Sequence, residues 1–339
     1  MSMFQSIRNR EETTKSKPRK LCAVLLATVG LSLIAGAIQA AEYPSRSVRI
    51  VMPFATGGWG DTTIRVIAQH LGEELGQSVL VDNRTGGGGL VGARYAKGER
   101  PDGYTLLAMG GEIALQQALN EEPGYDALKD FVAVGHMVRS PALIVGGADL
   151  QYKTFAELVA SAKANPNQIS YGSAGIGSTT HIAAEMLLRQ VGAQMLHVPY
   201  KGNGAAMPDV ISGRVGFLVD AYGSSRSNIA SGRLIALGTA ADQPIAGLPD
   251  VETVASQGVP GFSYYYWQGL FAPAGTPSDV VAKLSAALDR VLHQPALKEQ
   301  LQSNGTEPYF LPPKEFTTFL IKEVTDTQAL VDDLALPKQ

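Results

Sequence analysis

The amino-acid sequence predicts an α/β fold in two lobes, and three observations carry that expectation. Short apolar segments alternate with amphipathic ones, as in Val48–Met52 before residues 61–75 and residues 79–81 before Leu90–Lys97, the pattern of a mostly parallel sheet flanked by helices. The same alternation restarts after Pro141. The last long helical segments, Ser278–Leu292 and residues 314–330, have no strands of their own. They are placed most economically on the first sheet, which makes the second α/β unit an insertion with two chain crossings, near Arg139-Ser140-Pro141 and near residues 258–262. Two crossings make a hinge, and a hinged pair of α/β lobes binds ligands in the cleft at the carboxyl ends of its strands.

The first lobe begins with an apolar run, Val48–Met52, that stops at Pro53. A loop follows, Phe54-Ala55-Thr56-Gly57-Gly58-Trp59-Gly60-Asp61, and then an amphipathic helix to Leu75. After the strand at residues 79–81 come Asp82-Asn83-Arg84-Thr85 and four glycines, Gly86 to Gly89. Leu90–Lys97 reads as a short helix, Pro101-Asp102-Gly103 as a turn, residues 104–109 as a buried strand closed by Gly110-Gly111, and residues 112–120 as a helix. In the second unit, residues 143–145 form a short strand. Thr154 caps a helix over Phe155–Ala164, with Glu157 completing a capping box. Residues 169–171 are a strand, Gly172 to Ser178 a glycine loop, and residues 179–190 a helix. Strands follow at 195–198, 215–219 and 234–238, with a short helix at 205–211. Residues 262–272 are aromatic and strand-like.

The chain has 339 residues, room for about two domains, with 45% hydrophobic and 17% charged residues, an ordinary globular balance. Residues 1–20 carry six basic and two acidic residues, residues 21–41 carry none, and Ala40-Ala41 end the run. That order is an export signal, expected to be cleaved near Ala40. An uncleaved anchor is the alternative, since the run is long enough to span a membrane; Gly30, Ser32, Gly36 and Gln39 thin its hydrophobicity. Without the signal, 22 of the 28 basic and 29 of the 31 acidic residues remain, a net charge near −7. An acidic chain is a poor partner for nucleic acid. The only cysteine, Cys22, precedes the cleavage point, so the mature chain has neither disulfides nor thiol chemistry.

Two loops share one form: strand, glycine loop, helix start. One is Thr56 to Asp61; the other is Gly172-Ser173-Ala174-Gly175-Ile176-Gly177-Ser178. A helix N-terminus leaves N–H groups unpaired and favours an anion, and glycines let a ligand approach the backbone. An ordinary strand-to-helix turn has the same look. Two such ends on opposite lobes, however, could close on one carboxylate without a full positive charge.

These residues resemble the receptor family of tripartite tricarboxylate transporters, also called the Bug family. The similarity starts at Tyr43-Pro44-Ser45-Arg46 and runs through Pro53-Phe54, Gly57-Gly58, Asp61, Asp82-Asn83-Arg84 and Pro101-Asp102-Gly103-Tyr104. It continues through Tyr171-Gly172-Ser173-Ala174-Gly175, His181, His197-Val198-Pro199-Tyr200-Lys201-Gly202, Leu248-Pro249-Asp250-Val251 and Ala272-Pro273-Ala274-Gly275-Thr276-Pro277. The resemblance implies an exported, periplasmic solute-binding protein of the type 2, Venus-flytrap fold. It would be a monomer that captures a small organic carboxylate and delivers it to membrane transporter subunits, with no cofactor, no metal and no enzymatic step. The implied lobes are residues 41–140 with 262–339, and residues 141–261, after a signal at residues 1–40. The implied ligand residues are Phe54, Thr56, Gly57, Gly58 and Asp61 on one lobe, and Ser173, Ile176, Gly177, Ser178 and Asp220 on the other; Trp59 and Gly111, which stand where the chain departs from the family, are further candidates on the first lobe. The chain departs from the family at Ala55-Thr56, where prolines are usual, at Trp59, where a small residue is usual, and at Gly110-Gly111-Glu112, where small hydroxylic residues are usual. It also lacks the family's C-terminal tryptophan.

Other motifs weigh less. Gly87 to Gly92 fits G-x-G-x-x-G, but it follows the second strand after a charged spacer, so it reads as a structural turn. His181 and Glu185 share a helix face, but two residues do not fill a zinc shell. Ser173 or Ser178 could serve an exported hydrolase, yet neither sits in a G-x-S-x-G elbow. Tyr264-Tyr265-Tyr266-Trp267 is expected to alternate between strand packing and the cleft edge. Trp59 either packs on its own loop or stacks on a cyclic acid, and Glu112 could meet an ammonium group. A sensor handing its signal to a membrane kinase would share the same cleft.

Overall fold

In a computed structural model the described residues are 42–245, 247–334, 336 and 338. The expected signal, its cleavage near Ala40 and Cys22 lie outside them. The chain runs β1 (Val48–Met52), α1 (Trp59–Leu75), β2 (Val79–Asn83), a 3-10 turn (Gly87–Gly89), α2 (Leu90–Lys97), β3 (Thr105–Met109) and α3 (Glu112–Leu119). Then come β4 (Phe131–Gly147), α4 (Phe155–Ala164), β5 (Ser170–Ser173), α5 (Thr179–Val191), β6 (Leu196–Pro199), α6 (Asn203–Ile211), β7 (Phe217–Ala221), α7 (Tyr222–Ala230) and β8 (Leu234–Thr239). The chain closes with β9 (Tyr265–Pro273), α8 (Ser278–Leu292), α9 (Pro295–Ser303), β10 (Glu307–Leu311) and α10 (Pro313–Asp333).

The strands hydrogen-bond in the order β2-β1-β3-β9-β4-β7-β5-β6, with β10 and β8 also on β4. The pairs β1–β2, β1–β3, β5–β6 and β5–β7 are parallel. The long strands β4 and β9 supply the antiparallel ones and tie the two sheets together. Phe131 to Pro141 of β4 pair with β9 in the first sheet, and Ala142 to Val145 pair with β7 in the second. The short strand expected at 143–145 is therefore the end of a 17-residue strand. Pro141 does not break it, because it stands where the strand leaves one sheet for the other and its missing N–H is not needed there.

Two elements correct the sequence reading. The C-terminal segment does have a strand of its own, β10, antiparallel to β4. A helix, α7, also follows Asp220 directly. Its Ser- and Gly-rich sequence carries no apolar stripe for a helical period to reveal.

Helix α1 forms for a reason that bears on the site. Its N-cap is Gly58, and no side chain caps it, which forgoes only a few tenths of a kcal/mol relative to a capping side chain. Its buried stripe includes Ile64, Ile67 and Leu71, three side chains worth ~5 kcal/mol together. Burial wins, so the helix holds with its first-turn N–H groups unclaimed by any cap. Gly76, at φ 66°, ends it with its N–H on the Glu73 carbonyl.

The core divides with the sheets. Val51, Leu107, Met109, Ile113, Phe271 and Phe316 belong to one apolar cluster, and Ile144, Phe155, Leu158, Tyr171, Leu187 and Phe217 to another. Leu143, Val145, Leu218 and Leu234 form a further cluster on the second sheet, and a small one with Leu115, Leu119, Ile182 and Val331 joins α3, α5 and α10. No helix among the described residues is long and apolar enough to cross a membrane.

Candidate functional site

A cavity of about 830 Å³ opens at the strand ends, within the range that accepts a small ligand. Its wall takes residues from the β1–α1 loop, the start of α3, the first half of α5, the middle of β4, the start of β9, and α10. The strands that line it belong to the first sheet, and the second unit contributes Thr179, Ile182 and Met186 of α5.

The β1–α1 loop is held by Asp61, buried in the first turn of α1. Its carboxylate accepts the Gly57 N–H at 3.0 Å, the Asn83 amide at 2.8 Å and Arg65 Nε at 3.0 Å. The same Asn83 amide donates to the Phe54 carbonyl at 2.8 Å. Burial pushes the Asp61 carboxyl up, but these hydrogen bonds and the Arg65 charge outweigh it and hold the group below its ordinary range. Gly57, at φ 88°, turns the chain toward the carboxylate. Asp61 therefore fixes the loop from behind, and the N–H groups of the uncapped helix end need acceptors from elsewhere.

The start of α3 is also uncapped by any side chain. A Cβ on Gly110 would stand 2.1 Å from the Trp267 carbonyl oxygen, so only glycine lets this turn meet β9. Glu112 follows, accepting Thr179 Oγ1 at 3.3 Å. Glu323 of α10 accepts Trp267 Nε1 at 3.4 Å. Burial pushes both carboxyls up, and for Glu112 the nearby Glu323 adds to the shift. His136 stacks on Trp267 and meets the Tyr309 carbonyl through Nδ1 at 2.8 Å; burial lowers it to about 4, so it is neutral.

Of the residues expected at the site, Phe54, Gly58, Trp59, Asp61 and Gly111 line the cavity. Thr56 and Gly57 belong to the same loop but are exposed and outside the lining. Ser173, Ile176, Gly177, Ser178 and Asp220 are outside it as well, and the second glycine loop reaches the cavity through Thr179. The reason lies in how that loop is built. Ser178 caps α5 by accepting the His181 N–H. The Gly177 N–H donates to His181 Nδ1 at 3.1 Å, and a Cβ on Gly177 would stand 2.5 Å from Leu119 Cδ1. The Ile176 side chain is exposed. Asp220 is buried, accepting Ser225 Oγ at 2.6 Å and Asn203 Nδ2 at 2.8 Å.

Ser173 Oγ lies 2.7 Å from His197 Nε2, a pair that sequence spacing did not suggest. Ser173 is 0% exposed and also exchanges hydrogen bonds with Gly175. His197 stacks on His181 and Tyr171 and is lowered to about 4, by burial first and then by His181. A nucleophile needs access to its substrate, and this serine has none.

Sequence reasoning missed Arg139, Gln268 and Glu323. They are distant in the chain, and only the β4–β9 pairing and the return of α10 bring them together. Tyr264, Tyr265, Tyr266 and Trp267 all reach the cavity lining. Trp59 lines it too, with Nε1 donating to Thr306 Oγ1 at 2.8 Å, and its ring edge approaches Gly223 of α7. Trp59→Phe keeps the ring and removes that hydrogen bond. The expected loss is about 1 kcal/mol of stability, read by chemical denaturation. An unchanged midpoint would show that the bond is replaced by water. Among the described residues no group of side chains has the makings of a metal site.

This two-lobed α/β frame with a cavity at the strand ends defines the solute-binding class of periplasmic receptors. Solved structures of that class superpose on it: the periplasmic binding protein BugD, with a TM-score of 0.79 and 32% identity over 88% of this chain and 100% of that one, and R. palustris Rpa4515 with adipate, with a TM-score of 0.81 and 29% identity over 87% and 99%. MatC from Rhodopseudomonas palustris, with bound malate, follows at 0.76 and 29% over 85% and 100%. Residues 63–336 match the model of the tripartite tricarboxylate transporter family receptor, and the chain belongs to that family. Its relatives include a protein of the tcbD–tcbE intergenic region of Pseudomonas sp. (strain P51), 33% identical over 94% of each chain. Another is BugT of Bordetella pertussis, 31% identical over 88% of this chain and 94% of that one.

Proposed function

We propose that this protein is an exported receptor that takes up a small organic carboxylate between its lobes and delivers it to a membrane transporter, with no covalent step. One observation carries the reading: the uncapped N-terminus of α1 and the first residue of α5 line a single cavity. The ligand's carboxylate sits at the end of α1, where N–H groups and the helix dipole favour negative charge. Phe54, Thr56, Gly57, Gly58, Trp59, Asp61 and Gly111 shape that side. Ser173, Ile176, Gly177, Ser178 and Asp220 build the facing side and set the position of α5, with Thr179 at its tip. The lobes are residues 41–140 with 262–339, and residues 141–261, a division supported by the switch of β4 between sheets after Pro141. Neighbours at 29% identity solved with adipate and malate support the ligand class.

Specificity resides in the wall beyond the carboxylate, and closure follows from contacts that the open state lacks. Titration calorimetry with mono-, di- and tricarboxylates, repeated with Gly58→Pro, tests the reading. Binding of at least one acid, weakened by the proline, which fits the Gly58 φ of −73° but removes an N–H from the α1 N-terminus, is the expected result. Turnover of generic esters lost in Ser173→Ala would favour a hydrolase instead.

A further inference from the structure

We infer that the ligand carries a cationic nitrogen as well as its carboxylate, and that Glu112 and Glu323 receive it in the part of the cavity walled by Tyr264, Tyr266, Trp267 and Phe319. The inference rests on the carboxylate-receptor reading above and names the substrate class more narrowly, as an amino-bearing acid.

The argument begins with charge. Asp61, Glu112, Arg139, Glu323 and Asp326 are the carboxylates and the one fixed cation of the lining. Asp61 pairs with Arg65, and Asp326 with Lys322. Arg139 pairs with Glu307 at 2.9 Å and is stacked over the rings of Tyr265 and Tyr309. Glu112 and Glu323 remain. Among the described residues neither forms an ion pair, and from other residues each accepts one long hydrogen bond, given by the neutral donors Thr179 and Trp267 respectively, while Glu112 also accepts its own backbone N–H. A carboxylate has about four acceptor positions. Two such groups, close enough for one to raise the pKa of the other, make an acceptor-rich and uncompensated end to the cavity. A second carboxylate brought there would meet repulsion, whereas an ammonium group would neutralise the pair.

A second observation is independent of the acids. Gln268 is 3% exposed and lines the same cavity, yet its Oε1 has no donor. Its Nε2 has only the weak contact with Met52 Sδ at 3.9 Å. A buried, unpaired amide of this kind marks a place that a ligand or water fills. As oriented, Oε1 requires an N–H donor; turned over, the amide donates to the carboxylate end beside Gly60. The aromatic walls add ring faces that attract a cation.

The test compares acids with and without the amine by titration calorimetry on the whole protein: L-phenylalanine against 3-phenylpropanoate, L-glutamate against glutarate, and 6-aminohexanoate against hexanoate. The expected result is one amino-bearing acid at least ~10-fold tighter than its partner, the size of a charge-assisted hydrogen bond. Glu112→Gln and Glu323→Gln, which keep the shape and remove the charge, should each abolish that preference by weakening the amino-bearing acid more than its partner acid. Binding of the amine-free acids as tightly or more tightly in every pair overturns the cationic subsite and leaves the carboxylate receptor standing. Binding of none of the six acids overturns both. If the preference survives in both glutamine variants, the amine lies elsewhere and the assignment to these residues falls. Unfolding of the ligand-free variants, measured alongside, separates a lost fold from a lost subsite.

Discussion

Replacing Asp61 with alanine is expected to lower stability by about 3 kcal/mol, the scale of losing hydrogen bonds to a buried charged group. It should also weaken ligand binding at least ~30-fold, the scale of a binding hot spot. The carboxylate is the common acceptor for Gly57, Arg65 and Asn83, and without it the loop that presents the α1 N-terminus loses its fixed position. Arg65 is largely exposed and turns to solvent, so the cost stays below that of a fully buried ion pair. Asp61→Asn retains one acceptor oxygen and should recover part of both losses. The pH dependence supplies an independent check. The folded-state pKa of Asp61 lies below its ordinary value. Its contribution is therefore present above the unfolded-state pKa and disappears as pH falls through the folded-state one. The wild type's advantage over Asp61→Asn in denaturant unfolding should shrink below about pH 4. A constant difference down to the acid limit would show that Asp61 acts by shape and not by charge.

The parts of this site that the sequence makes legible are those built from neighbours in the chain. The run from Val48 to Asp61 carries its own signals: an apolar strand, a proline stop, glycines, and an acid three residues past the N-cap. The helices Leu90–Lys97, Phe155–Ala164 and Ser278–Leu292 fall where their periodicity and caps place them. For Phe155–Ala164 the capping box is shifted by one residue at one end. The Thr154 side chain accepts the Glu157 N–H, but Glu157 reaches the Lys153 N–H.

What sequence could not convey depends on contacts far apart in the chain. Pro141 reads as a break, yet the strand continues because its neighbours change there. The glycines of the second loop look like ligand approach points. Gly177, however, is needed where Leu119 packs on it, a requirement set by α3, some sixty residues earlier. The glycines at 87–92 close on Leu90, Gln116, Met109 and Pro53 in the same way. Glu323 had no motif to mark it, since its significance arises only when α10 folds back beside Trp267. Gln268 did leave a trace: a polar residue between Trp267 and the apolar end of an otherwise buried strand.

That trace leads to the second large effect. Gln268→Leu is expected to stabilise the ligand-free protein by about 1–2 kcal/mol, because a buried amide with an unpaired oxygen carries a desolvation penalty that a leucine of similar size does not. The neighbours permit the exchange. The amide touches Met52 and the first turn of α1 at Gly60, and the backbone of β9 at this position is already paired with β4. The same substitution should weaken the ligand at least ~10-fold, as a polar partner in the cavity is lost and no new contact replaces it. Opposite signs in stability and affinity are the signature of a group kept for function, since residues that serve only the fold lose both together. Denaturant unfolding of the ligand-free protein and calorimetry with the bound acid measure the two signs separately. A variant that is less stable and binds unchanged would assign Gln268 to packing, and would place the ligand on the α10 side of β9, away from the α1 helix end.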